Sequence, residues 1–213
     1  MKQKKLLITI IAIAFAYIES SVVVYLRDLL YPEGFSFPLK PIEGQLLLIE
    51  LGREFTTIVL LLGLALLAGK TLMQRFAYFS LAFGIWDIFY YIWLKIFINW
   101  PESLLTWDLL FLIPIPWIGP VLSPVLVSLS LIFTAVVILN YDFNHQLGIQ
   151  FTKLDWVGEN LAAGIILLSY FWNFTNMDGP AESLSYPWWL FTSGMALGLY
   201  IFYSRAIIYR LNS

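Results

Sequence analysis

Five ionisable residues lie where a polypeptide holds charge least easily. Glu19, Glu50, Arg53, Glu54 and Asp87 sit inside stretches otherwise apolar enough to cross a membrane. A charged side chain near the bilayer centre costs about 2.5–3.5 kcal/mol on insertion scales, so such residues face a protein interior, pair with one another or handle ions. In the second stretch Glu50, Arg53, Glu54 and Thr57 follow a spacing of three, four and seven residues. That spacing is one narrow stripe of a 3.6-residue helix, and the other faces carry Leu, Ile and Phe. In the third stretch Ser80, Asp87, Tyr90 and Tyr91 share a face by the same rule, so a carboxylate is flanked by two phenols. In the first, Ala12, Ala16 and Ser20 form a small-residue seam beside Glu19, which permits close helix approach. The pattern predicts a polar site between three helices. Glu19, Glu50, Glu54 and Asp87 are its candidate ion- or proton-binding groups, Arg53 their charge partner, and Tyr90, Tyr91 and Thr57 the hydrogen-bonding shell.

A carboxylate set suits protons or hard cations, because oxygen ligands favour Mg²⁺, Ca²⁺ or Mn²⁺ over softer metals. Carboxyl groups withdrawn from water hold protons more readily, which is the condition for a proton relay. The same residues also read as a structural ion-pair network, with Arg53 neutralising Glu50 or Glu54 and tyrosines bonding what remains. Four acids against one embedded arginine strain that reading slightly. The single histidine, His145, falls in an expected cytoplasmic loop and reads as a solvated residue, so haem held by two histidines of this chain is excluded. A carboxylate-bridged di-iron site would lack its usual histidines. With no cysteine there is no Fe–S cluster and no thiolate metal site.

The elements that must position these residues are membrane helices. Of 213 residues 60% are hydrophobic and 12% charged, against about 25% charged in a soluble domain, and the mean hydropathy is +0.80. A net charge of -2 offers no basic face for nucleic acid. Apolar runs of about 20 residues predict spans near 6–26, 46–68, 76–98, 119–140, 157–174 and 187–206. The expected fold is therefore an all-α polytopic bundle, a single membrane domain with six transmembrane helices. Lys2, Lys4, Lys5 and the Ala14-Phe15-Ala16 triplet imitate a cleavable leader, but the run is read as a first transmembrane helix. Basic residues gather on one side of a six-pass arrangement: Lys2, Lys4, Lys5, Lys70, Arg75, Lys153, Arg205 and Arg210, with only Arg27 and Lys40 in loops opposite. Both termini are expected in the cytoplasm, with a bacterial inner membrane as the default setting. In that topology Glu19 lies roughly 10 Å, Glu54 roughly 12 Å and Asp87 roughly 16 Å below the outer surface.

The segment 107–124 is the second informative region. Pro114, Pro116, Pro120 and Pro124 remove backbone donors and fix φ, so no continuous helix runs through it. A broken or re-entrant segment over 107–118 is expected, with Asp108 at the cavity mouth and Trp117 and Gly119 at the bend. A surface-lying helix followed by a proline-capped crossing is the competing expectation. Gly194 and Gly198, spaced as in membrane helix contacts, are expected to pack within the bundle or against a membrane-protein partner, besides the lipids. Asn173-Phe174-Thr175 matches a glycosylation sequon at a span end. Tryptophans near span ends read as interfacial anchors.

No Walker loop, GxSxG elbow, HExxH or GxGxxG occurs, so nucleotide-driven work and serine or zinc hydrolysis lack support. Two functions fit: a small transporter or intramembrane enzyme handling protons or a hard cation in the outer half of the bilayer, or a non-catalytic accessory subunit of a larger membrane complex.

Overall fold

The computed structural model of the chain describes residues 2–144, 151–176, 179–180 and 183–212. His145, expected in a cytoplasmic loop, lies outside the described residues. The described chain is mostly helical, with α1 Lys2–Leu30, α2 Gly44–Ala68, α3 Leu72–Ile98, α4 Leu122–Asn144, α5 Lys153–Phe171 and α6 Trp188–Asn212. The first four are long and apolar enough to cross a membrane. Their sequences are hydrophobic nearly all round, as befits helices surrounded by apolar side chains and lipid rather than by water. α5 begins with Lys153, Asp155 and Glu159, and this charge sets it apart from the first four.

Helices consecutive in the chain run in opposite directions. Lys4 at the start of α1 donates to the carbonyl of Ala68 at the end of α2, and Lys5 donates to Asn140 late in α4. Phe76 and Trp156 meet edge to face near the starts of α3 and α5, and Phe151 meets Phe202 of α6 at the same end. α3 is the hub, packed against α1, α2 and α4, while α5 and α6 pair chiefly with each other. The seams use small residues: Ala12, Ala16, Ser20, Ala65, Ala77, Ala82 and Ala135 are all fully buried. At Gly84 an added Cβ would stand 2.7 Å from the Ser128 carbonyl oxygen and 2.8 Å from Ile132, so α3 and α4 touch through that hydrogen.

Local signals set the ends. Thr71 caps α3 by accepting from the Gln74 amide, and Asn99 closes it in the left-handed conformation, φ 54°. Thr152 and Asp155 form a reciprocal capping box at the start of α5. Asp155 also meets Arg205 of α6 at 2.7 Å.

The structure departs from the sequence expectations at the proline-rich segment. The proline-rich segment is not a broken helix, and the fold is not purely α. Its two halves are antiparallel strands, β1 Trp107–Phe111 and β2 Trp117–Pro120, with Asp108 opposite Gly119 and an irregularity between Leu109 and Phe111. Prolines at 114 and 116 lie in the connecting loop and Pro120 closes an edge strand, places where a missing donor is harmless. Trp117 and Gly119 thus lie in a strand rather than at a bend. Gly194 and Gly198 face α5: Cβ atoms there would meet Ala162 and Ile166, and Glu159, respectively. The motif therefore packs α6 against α5 within one chain. Asn173 is likewise enclosed, donating to the Ser185 carbonyl, so the sequon is closed to a sugar.

Candidate functional site

α1, α2, α3 and the hairpin enclose a cavity of about 150 Å³. The nine candidate site residues line it, Glu19, Glu50, Arg53, Glu54, Thr57, Asp87, Tyr90, Tyr91 and Asp108, whereas Ser80 and Ser20 do not. Helical periodicity brings them together, since Glu50, Glu54 and Thr57 are the buried residues of one face of α2, and Asp87 and Tyr91 belong to one face of α3.

Arg53 is the joint between α1 and α2. Its guanidinium pairs with both Glu19 and Glu50, the Nε lying 3.0 Å from each Glu50 oxygen. Thr57 completes this group by donating to Glu19 Oε1 at 2.9 Å. Glu54, one turn away, is held differently. Both its oxygens accept from the backbone amide of Leu112, at 3.0 and 2.9 Å, so the loop of the hairpin is tied to α2 through this carboxylate. Asp87 accepts from Ser128 of α4 at 2.8 Å. Neither Glu54 nor Asp87 forms an ion pair among the described residues.

Asp108 is not at a mouth. It is 1% exposed and binds Arg27 at 2.9 Å and the Tyr91 phenol at 3.2 Å. Arg27 in turn lies between aromatic faces, 3.7 Å from the Trp100 ring centroid and 4.3 Å from that of Phe35. Burial pushes the Asp108 carboxyl up, to about 6, against the opposing pull of Arg27, the Leu109 amide and Tyr91. Tyr31, in the loop after α1, is also raised, by burial, while its oxygen accepts from the Lys40 amide. Tyr91 serves Asp108 rather than Asp87, and Lys95 donates to the carbonyls of Asn99 and Pro101 at the end of α3.

Several lining residues escaped the sequence reading. Apolarity ends at Leu26, which puts Arg27 in a loop by hydropathy, yet α1 continues to Leu30 and Arg27 lies two turns beyond Glu19. The buried series Ala12, Ala16, Glu19, Val23, Arg27 carries that signal in its helical spacing. Trp86, Trp117 and Tyr170 also line the cavity, Trp117 and Tyr170 stacking at 6.0 Å and joining the hairpin to α5. No sequence spacing links α3, the hairpin and α5. No three His, Asp or Glu side chains converge as metal ligands among the described residues.

Comparison of the chain with protein families, curated proteins and solved structures gives no match.

Proposed function

We propose that this chain is a six-pass integral membrane protein whose carboxylate-lined cavity takes up and passes on protons, as a small transporter or an intramembrane enzyme. A hard cation is the second occupant the carboxylates suit. One observation carries the reading: Glu54 and Asp87, on different helices, line the same cavity and each has a hydrogen-bond donor but no ion pair among the described residues. Structural carboxylates at such depth are ordinarily paired, as Glu19, Glu50 and Asp108 are. Glu54 and Asp87 each accept from a separate donor, the Leu112 amide and the Ser128 hydroxyl, and that supports a proton at each rather than one metal ion shared between them.

α5 and α6 supply the fifth and sixth crossings in this proposal. At a rise of about 1.5 Å per residue, 19 residues of α5 extend roughly 28 Å, close to the hydrocarbon thickness. The end of the bundle that gathers Lys2, Lys4, Lys5, Lys70 and Arg75 is assigned to the cytoplasm of a bacterial inner membrane. The cavity then belongs to the outer half of the bilayer.

Infrared difference spectroscopy across a pH series tests the site. A protonated-carboxyl band should titrate in the wild type, and should weaken in both Glu54→Gln and Asp87→Asn while the helical amide bands stay unchanged. A spectrum without any titrating carboxyl band, identical in the variants, would remove the proposal and favour an accessory subunit.

A further inference from the structure

The polar cavity has an apolar neighbour. A groove of about 350 Å³ shares four lining residues with it, Lys40, Ile42, Leu109 and Leu112. Apart from Lys40 the groove is lined only by apolar side chains, with Leu47 and Leu51 of α2 on one side and Pro114 and Pro116 of the hairpin loop on the other. Leu112 links the two spaces directly. It lines both, and its amide donates to Glu54.

We infer that the site takes a membrane-dissolved amphiphile with one alkyl chain and an amino-alcohol head, the chain in the groove and the head in the cavity. This deepens the proposed function, resting on Glu54 and Asp87 as its working acids. Charge is the first reason. Five carboxylates line the cavity against Arg27, Arg53 and Lys40. Arg53 and Arg27 are engaged by Glu19, Glu50 and Asp108, and Lys40 donates to the Leu30 carbonyl. An ammonium group brings one of the two missing positive charges and three donors to Glu54 and Asp87. Trp86, Tyr90 and Tyr91 line the same cavity, and aromatic rings attract such a cation.

Unused donors are the second reason. Arg27 Nη1 and Trp86 Nε1 belong to buried side chains of the lining, 8% and 5% exposed, and neither has an acceptor among the described residues. Buried donors left unpaired are unfavourable. A hydroxyl oxygen on the head satisfies such a donor, whereas a bare proton or metal ion satisfies none. The third reason is the groove itself, whose lining offers a tail nothing polar except the rim lysine. A water-soluble amine would leave it empty, whereas about 350 Å³ accommodates one alkyl chain.

The test uses the full chain in phosphatidylcholine nanodiscs with a photoactivatable, clickable sphingosine-type amino alcohol and the matching diol that lacks the amine. Cross-links should map to α2 and to residues 109–116, with the amine labelling about tenfold more than the diol. Glu54→Gln and Asp87→Asn should bring that ratio towards one. Leu51→Trp and, independently, Leu47→Trp should reduce both probes to background in protein that elutes as wild type. Equal labelling by amine and diol overturns the head assignment, cross-links elsewhere overturn the groove, and stronger labelling by a two-chain aminophospholipid overturns the single chain. Labelling as expected without a titrating carboxyl band would overturn the proton reading alone; a titrating band without labelling would overturn this inference alone.

Discussion

Arg53 holds two carboxylates from two helices, so its removal leaves more than one charge stranded. Glu19 and Glu50 are 4% and 5% exposed and share this guanidinium. Truncating one partner of a buried ion pair costs about 3–5 kcal/mol, because the remaining charge stays desolvated. Arg53→Met should therefore lower the unfolding midpoint strongly in detergent. Adding Glu19→Gln and Glu50→Gln to that variant should recover much of the loss, since no unpaired charge remains. A thermal scan that finds Arg53→Met neutral would show that water reaches these acids. Glu54 belongs to another category: it has an amide rather than a cation, so Glu54→Gln keeps an acceptor oxygen for Leu112 and should change stability far less than Arg53→Met. The contrast between the two substitutions separates an acid held in an ion pair from one held only by a backbone amide.

The α3–α4 contact depends on the absence of a side chain at Gly84. A Cβ there comes within 2.7 Å of a backbone oxygen, which cannot swing aside as a flexible side chain can. Gly84→Ala should destabilise by about 1–3 kcal/mol, in the range of overpacking, and should also shift Ser128 away from Asp87. Thermal unfolding and the carboxyl band of Asp87 would report the two effects separately. An unchanged protein would mean that α3 and α4 separate without penalty. Helices of this kind are legible from composition: α1 to α4 are long apolar runs, and the stripe of Glu50, Arg53, Glu54 and Thr57 shows which face turns inward. The hairpin is not legible in the same way. Four prolines exclude a helix over 107–124, but they do not say that Asp108 will pair with Gly119 across a loop, because strand partners are chosen by the helices between which they fit. Arg27 was hidden for a related reason. Hydropathy ends a span at the first charge, whereas the helix ends where its backbone donors and acceptors find other partners.

Charge is distributed unevenly over the molecule along the helix direction. One end carries the amino groups of Lys4 and Lys5 against Ala68 and Asn140 and the Asp155–Arg205 pair, while the acids of the cavity lie towards the other. A basic end remains on the cytoplasmic side of a membrane, so the cavity is expected to open towards the outside. The natural chain contains no cysteine, and each introduced cysteine is then the sole target of a membrane-impermeant maleimide. Glu33→Cys and Glu102→Cys are exposed at the end nearer the cavity and should be labelled in intact cells, whereas Lys70→Cys and Lys153→Cys should be labelled only after permeabilisation. Ser183→Cys decides the number of crossings. It lies between α5 and α6 and is exposed, so labelling in intact cells requires that both helices cross. Protection until permeabilisation would leave α5 and α6 on the cytoplasmic side and reduce the molecule to four crossings. Tyr170 of α5 nevertheless stacks on Trp117 of the hairpin, far along the helix axis from the Phe76–Trp156 contact at the opposite end. An α5 that touches the bundle near both of its ends runs alongside it rather than across one face, and for that reason outside labelling at position 183 is the expected result.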